Sequence, residues 1–290
     1  MFNSVIIDVA IGLTLSFLAV SLAASAVTEA ISSALQWRQA TLLQGVKDLL
    51  NDQDFKGLAL QLYNHALVNP LASGAAATAQ ELTNKPAYID SRGFALALCD
   101  TLSKNAGAGE SPEAFIDKIQ DPQLKNAMTA LWTTSSKNVE SFKHSVGEWF
   151  DASMDRLSGR YKRMTQLVSF IIALAIAALF NVNALYMSAQ IWTHPTAMAD
   201  IATLHVDQQA GQAADVSKIL GALEPQYLVG WVKGPTPDSA QTWFIALTSW
   251  LLVSAATLFG ASFWFDVLQH IVQIRGTGLA PKRTPRPAKQ

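Results

Sequence analysis

Three stretches of this chain are apolar almost without interruption. Between them, apolar residues recur at three-and-four spacing. The first stretch runs from Val5 to Val27 and carries one acid, Asp8. The second runs from Gln166 to about Met187. Its strongest part, L-V-S-F-I-I-A-L-A-I-A-A-L-F, ends at Phe180, and Asn181 and Asn183 follow. The third runs from Thr242 to Phe265. At about 1.5 Å per residue each is long enough to cross a hydrocarbon core of about 30 Å. Backbone N–H and C=O groups have no water partners there, so all three are expected to be helices.

The remaining chain reads as amphipathic helices and loops. Val27, Ile31, Leu35, Leu42, Val46 and Leu49 continue the first span's periodicity without a proline, so one helix is expected over 3–50. Residues 54–68 read as a helix stopped by Asn69-Pro70, and 72–88 as a loop. Asp90-Ser91 can cap the helix F-A-L-A-L-C-D-T-L, and Ser111-Pro112-Glu113 has an N-cap hydroxyl, proline at N1 and an acid in the first turn. A short helix follows Pro122. Val139, Phe142, Val146, Trp149, Phe150, Leu157 and Tyr161 form the stripe of a long helix running into the second span. No run alternates with strand period, so the fold class is all-α: an integral membrane protein with three transmembrane helices, two of them extended into a helical cytoplasmic domain.

The expected organisation has six parts. They are a first span with its extension (1–50), a helical domain (51–135), a long helix entering the second span (136–192), an outer loop (193–241), the third span with an interfacial extension (242–275), and a basic, Pro-rich tail of disordered composition (276–290). Pro195 is expected to end the second span's helix, and Val216–Leu223 could form a turn or two.

Charge sets the orientation. Only 15% of the 290 residues are charged, against roughly 25% in a soluble domain. Of 21 Lys and Arg, 14 lie between residues 28 and 163, two lie in 190–241, and five follow the third span. Counted near the spans, this bias puts 28–163 and the tail in the cytoplasm, and the N-terminus and outer loop outside. A cleaved signal peptide ending at Ala24-Ser25-Ala26 fits less well, because M-F-N-S-V-I-I-D has no basic residue.

Candidate residues follow from these patterns. Arg156, Arg160, Lys162 and Arg163 form a cationic collar before the second span, suited to anionic headgroups. Gly12, Ser16, Ala19, Ala23 and Ala26 give the first span a small face for close helix packing, within the chain or between copies. Asn181 and Asn183 are either packing polar groups or pore-lining ones. Asp8, Glu29 and His270 are ionisable positions without an assigned role, and Asp266 is one turn from His270. His194 and His205 share the outer loop with Asp200 and Asp207, but the spacing fits no metal pattern. Gly107 and Gly109 lack the third glycine and preceding strand of a phosphate loop. The single cysteine, Cys99, excludes an internal disulfide. No catalytic motif is present, no cofactor or metal is expected, and near-zero net charge argues against nucleic acid.

The segments K-P-A-Y-I-D-S-R-G-F-A-L-A-L-C-D, W-F-D-A-S-M-D-R-L-S-G-R-Y-K-R-M-T-Q and F-N-V-N-A-L-Y resemble those of an uncharacterised family of bacterial inner-membrane proteins. The resemblance covers most of the chain apart from the outer loop, and it implies no activity. Two functions are expected from the layout. One is a scaffold that binds membrane lipids, itself and a cytoplasmic protein through the helical domain. The other is a self-associating pore or channel subunit.

Overall fold

The structure is a computed structural model that describes residues 5–72, 74–107, 111–193, 230–231 and 236–276. The expectations for the N-terminal end, for His194, His205 and most of the outer loop, for Gly109 and for the basic tail lie outside the described residues. Among the described residues the chain forms ten helices and no strand. They are α1 (Val5–Ala34), α2 (Trp37–Leu49), α3 (Leu58–Tyr63), α4 (Ser91–Ala106), α5 (Pro112–Asp117), α6 (Pro122–Thr134), α7 (Val139–Leu179), α8 (Ala184–Thr193), α9 (Ala240–Thr257) and α10 (Ala261–Gly276). Two of them, α1 and α7, are long and apolar enough to cross a membrane, and a third span exists if the bent pair α9–α10 counts as one. The chain divides into two units, residues 32–164 and residues 1–31 with 165–290.

The unit of residues 32–164 has its own core. Val46, Leu62, Phe94, Leu98, Met128, Phe142, Val146 and Phe150 are all essentially inaccessible, and Phe94 stacks on Phe150 with ring centroids 4.0 Å apart. The helix starts follow local chemistry. Asp90 accepts the Gly93 N–H at 2.8 Å, and Asp121, before Pro122, accepts the Leu124 N–H at 2.7 Å. Asn138 does the same for α7, taking the Ser141 N–H at 2.9 Å. Ser111 stands at the N-cap of α5, but its side chain makes no capping bond.

Several expected boundaries are corrected here. The helix expected over 3–50 is two helices: Gln36 adopts a left-handed φ of 50° and ends α1 before α2 begins. No glycine or proline marks the break, and a non-glycine residue in that conformation costs about 1–2 kcal/mol. The helix expected over 54–68 shrinks to α3. Asp52 captures the backbone N–H groups of Lys56, Gly57 and Ala59 at 3.0, 2.8 and 3.0 Å, folding the preceding residues into turns.

In the other unit α1 is the central element. Every residue from Thr14 to Ser21 is buried, as are Ile11 and Gly12. A helix buried all round is a core helix, whereas α7 leaves Leu167, Ile171 and Leu179 exposed. Within this unit α1 runs antiparallel to α7 and α8: Thr28 meets Ser169 at 3.1 Å, and Ser16 Oγ lies 3.4 Å from Met187 Sδ.

Neither later span is one continuous helix. The second breaks at 180–183, between α7 and α8. The third breaks at Gly260, where φ is 86°, and α10 departs from α9 at 96°. An α9 of 18 residues is about 27 Å long, comparable to a hydrocarbon core. Phe259 and Phe263, expected at the end of the third span, belong to this bend and stack at 5.0 Å.

Candidate functional site

Two features of the structure carry the chemistry of the expected site residues. The first is the break between α7 and α8. α7 ends in a Schellman motif: the Asn181 N–H donates to the Ala178 carbonyl (3.2 Å) and the Val182 N–H to the Ala177 carbonyl (2.8 Å). Asn181 supplies the left-handed residue, with φ 46°. Its side chain amide donates to the Gly230 carbonyl at 3.2 Å, and the Gly230 N–H donates to the Phe180 carbonyl at 2.9 Å. The Trp231 indole N–H lies 3.1 and 3.0 Å from the carbonyl oxygens of Ala178 and Leu179. Asn183 then opens α8 by accepting the Tyr186 N–H at 3.0 Å, while Ser249 of α9 accepts the Leu185 N–H at 3.3 Å. Asn181, Val182 and Asn183 are buried. The carbonyls of Ala177, Ala178, Leu179 and Phe180 are thus taken up by partners inside this unit.

The bend at Gly260 is closed the same way. The Trp264 indole donates to the Ala256 carbonyl at 2.7 Å, and its ring packs on Phe17 with centroids 4.7 Å apart. The buried hydroxyls of this unit mostly bond back to their own helices. Ser16, Thr28 and Ser254 reach the carbonyls of Gly12, Ala24 and Trp250 at 2.7, 2.7 and 2.6 Å. Of the small face, Gly12, Ser16 and Ala19 are buried, and Ala23 and Ala26 are half-buried. Asp8 is buried near the start of α1, and Glu29 is exposed. His270 is exposed, and its Nδ1 lies 2.7 Å from the backbone carbonyl oxygen of Asp266, one turn earlier.

The second feature is the surface around the α2–α7 contact in the unit of residues 32–164. Gly45 lets α2 approach α7 closely: a Cβ there would overlap Leu157 Cδ2. Grooves lie on both sides of that contact. One, of about 370 Å³, is lined by Asp48, Gln123, Trp149, Ser153, Arg156 and Arg160. The other, of about 600 Å³, has Leu42, Phe150 and Met154 at its base and Arg38, Tyr88, Asp151, Asp155, Ser158 and Tyr161 around it. Tyr88 is 74% exposed.

The collar residues Arg156, Arg160, Lys162 and Arg163 are all exposed. Arg160 lies 3.7 Å from Asp48, and Arg156 donates to Ser153 Oγ at 3.2 Å. Elsewhere in the unit, Lys104 and then His65 beside Asp100 hold its carboxyl below the usual range. Burial pushes the Cys99 thiol up to about 11. A thiol this poorly ionised at neutral pH is not a nucleophile. Among the described residues no three His, Cys, Asp or Glu side chains come together. Sequence reasoning missed Arg38, Tyr88 and Tyr161 as partners in one groove. The pair Asp151 and Asp155, one turn apart beside the apolar stripe, was its only local signal. No protein-family model, curated protein or solved structure matches the chain.

Proposed function

We propose that this chain is a self-associating scaffold of the bacterial inner membrane, anchored by α1, the apolar part of α7, and α9, and acting through residues 32–164 on the cytoplasmic side. The observation that carries this reading is the all-round burial of α1 from Thr14 to Ser21, together with the internal pairing of the groups at both helix breaks. Such an anchor spends its polar groups on its own cohesion. The unit of residues 32–164 has a separate core and an open groove, which suits it to binding. Leu167 and Ile171 on α7 and Phe244, Leu247 and Leu251 on α9 remain exposed, a surface that acyl chains or a second copy would cover.

A pore subunit is the alternative. It draws less support, because Asn181 and Asn183 are consumed by the helix break and do not face outward. The two readings separate on the mass of the chain in lipid nanodiscs, followed by planar-bilayer recording. The scaffold reading expects a small oligomer and no current. A ring-like oligomer with a current altered by Asn183→Ala would overturn it.

A further inference from the structure

α9 and α10 meet at a sharp corner. α9 alone is about 27 Å long, close to the thickness of a hydrocarbon core. α10 leaves it at 96°, with Gly260 in a left-handed conformation at the corner. A helix near a right angle to a span neither continues through a bilayer nor returns along it. The two long faces of α10 differ. Trp264, Leu268 and Ile271, at i, i+4 and i+7, pack into the core around α1. Asp266, Gln269, His270 and Gln273 fill the opposite face, and all four are exposed. Phe263 is 42% exposed and stacks on Phe259, which is 66% exposed at the corner. The exposed Leu251, Leu252 and Leu258 lead along α9 to that pair. Beyond it, up to Gln273, the exposed residues of α10 are polar apart from Val272. Charge then takes one sign. No acid follows Asp266 up to Gln290, whereas Arg275, Lys282, Arg283, Arg286 and Lys289 do.

On the anchored reading above, on which this inference rests, we propose that α10 lies in the plane of the membrane surface and, with the basic segment that follows it, binds anionic phospholipid. Phe259 and Phe263 sit at the boundary of acyl chains and headgroups, where aromatic rings gather. The polar face of α10 meets water, as in an interfacial amphipathic helix. Cations close to an anionic leaflet are drawn to it, and salt screens that attraction. An apolar anchor joined to a polybasic segment holds a membrane surface more firmly than a single weak signal does. The collar residues Arg156, Arg160, Lys162 and Arg163 belong to the other unit and stay unaltered in every variant below.

The test uses the full chain in nanodiscs of phosphatidylcholine, with or without added phosphatidylglycerol. In a Cys99→Ser background, Thr284→Cys carries an environment-sensitive fluorophore. Phosphatidylglycerol should shift its emission to the blue and raise the intensity several-fold, and high salt should reverse both. Lys282→Gln, Arg283→Gln, Arg286→Gln and Lys289→Gln together should abolish the shift. Thr284 lies beyond α10, so this comparison alters no residue of the helix. A second pair of chains carries the fluorophore at Phe263→Cys or at His270→Cys. A lipid with a nitroxide just below its headgroup should quench the first several-fold more than the second. Equal emission in the two lipid mixtures, a shift that survives the four substitutions, or equal quenching at the two α10 positions overturns the proposal. Each of these results would leave the anchor reading standing, whereas a chain that fails to enter nanodiscs would overturn both.

Discussion

The Trp231 indole N–H lies 3.0 Å from the carbonyl oxygen of Leu179, the last residue of α7. A helix C-terminus leaves carbonyls without intrahelical donors, and here a side chain 52 residues away supplies one. Its ring also packs against Trp250, with centroids 5.8 Å apart. Trp231→Phe keeps the ring and removes the donor. It should cost about 0.5–1.5 kcal/mol, the usual net contribution of one intramolecular hydrogen bond. Trp192→Phe, at a 58% exposed position, should change little. Thermal melts of both variants in one detergent check the contrast.

Asn181 holds a conformation that glycine adopts freely. Asn181→Gly should lie near neutrality, as glycine's conformational fit offsets the lost bond to Gly230. Asn181→Leu should cost about 1–2 kcal/mol from the left-handed backbone alone, with the lost amide bond added. The order Gly above Leu in melting temperature is the readout. Equal destabilisation by both would show that the side-chain amide, not the backbone, is what the position requires.

Gly45 and Leu157 set the closeness of α2 and α7. Gly45→Val should overpack the contact and destabilise by about 1–3 kcal/mol, since Leu157 has to move. Leu157→Ala removes the obstructing methyl groups, so the double variant should recover part of the loss. A double-mutant cycle by thermal denaturation measures the coupling.

Much of this fold was legible because it is written in local chemistry. Asp90 and Asp121 sit ahead of α4 and α6 as sequence capping rules require, and the apolar stripe from Val139 to Tyr161 is one face of α7. What escaped was irregular chain without its usual residues. The break at Gln36 has no glycine or proline. The collapse before α3 comes from Asp52 gathering three backbone donors, and the bend at Gly260 hides within an apolar run. F-N-V-N carried a readable sign, because asparagine is the commonest substitute for glycine at a left-handed helix end. The groove was illegible for another reason: Arg38, Tyr88 and Asp155 are far apart in sequence and meet only through tertiary packing.

Acid should weaken the start of α6. The Leu124 N–H, and next the Asn51 amide, hold the Asp121 carboxyl below its usual range. Its folded value is therefore lower than its unfolded one, near 3.9. The contribution is complete above that unfolded value and is lost as pH falls through the lowered folded value. Asp121→Ala should cost about 1 kcal/mol at neutral pH. Asp121→Asn should keep most of the cap and flatten the acid dependence below about pH 4. Circular dichroism melts between pH 3 and pH 7 on the order of one unit apart read both effects.

The central claim, an anchor in the membrane with residues 32–164 on the cytoplasmic side, is tested most directly by labelling. In a Cys99→Ser background, a single cysteine replaces the exposed Lys104 of the full chain in cells. A membrane-impermeant maleimide should reach it only after the inner membrane is opened, with the chain in the membrane fraction throughout. Labelling without opening that membrane, or recovery of the chain in the soluble fraction, would contradict the account.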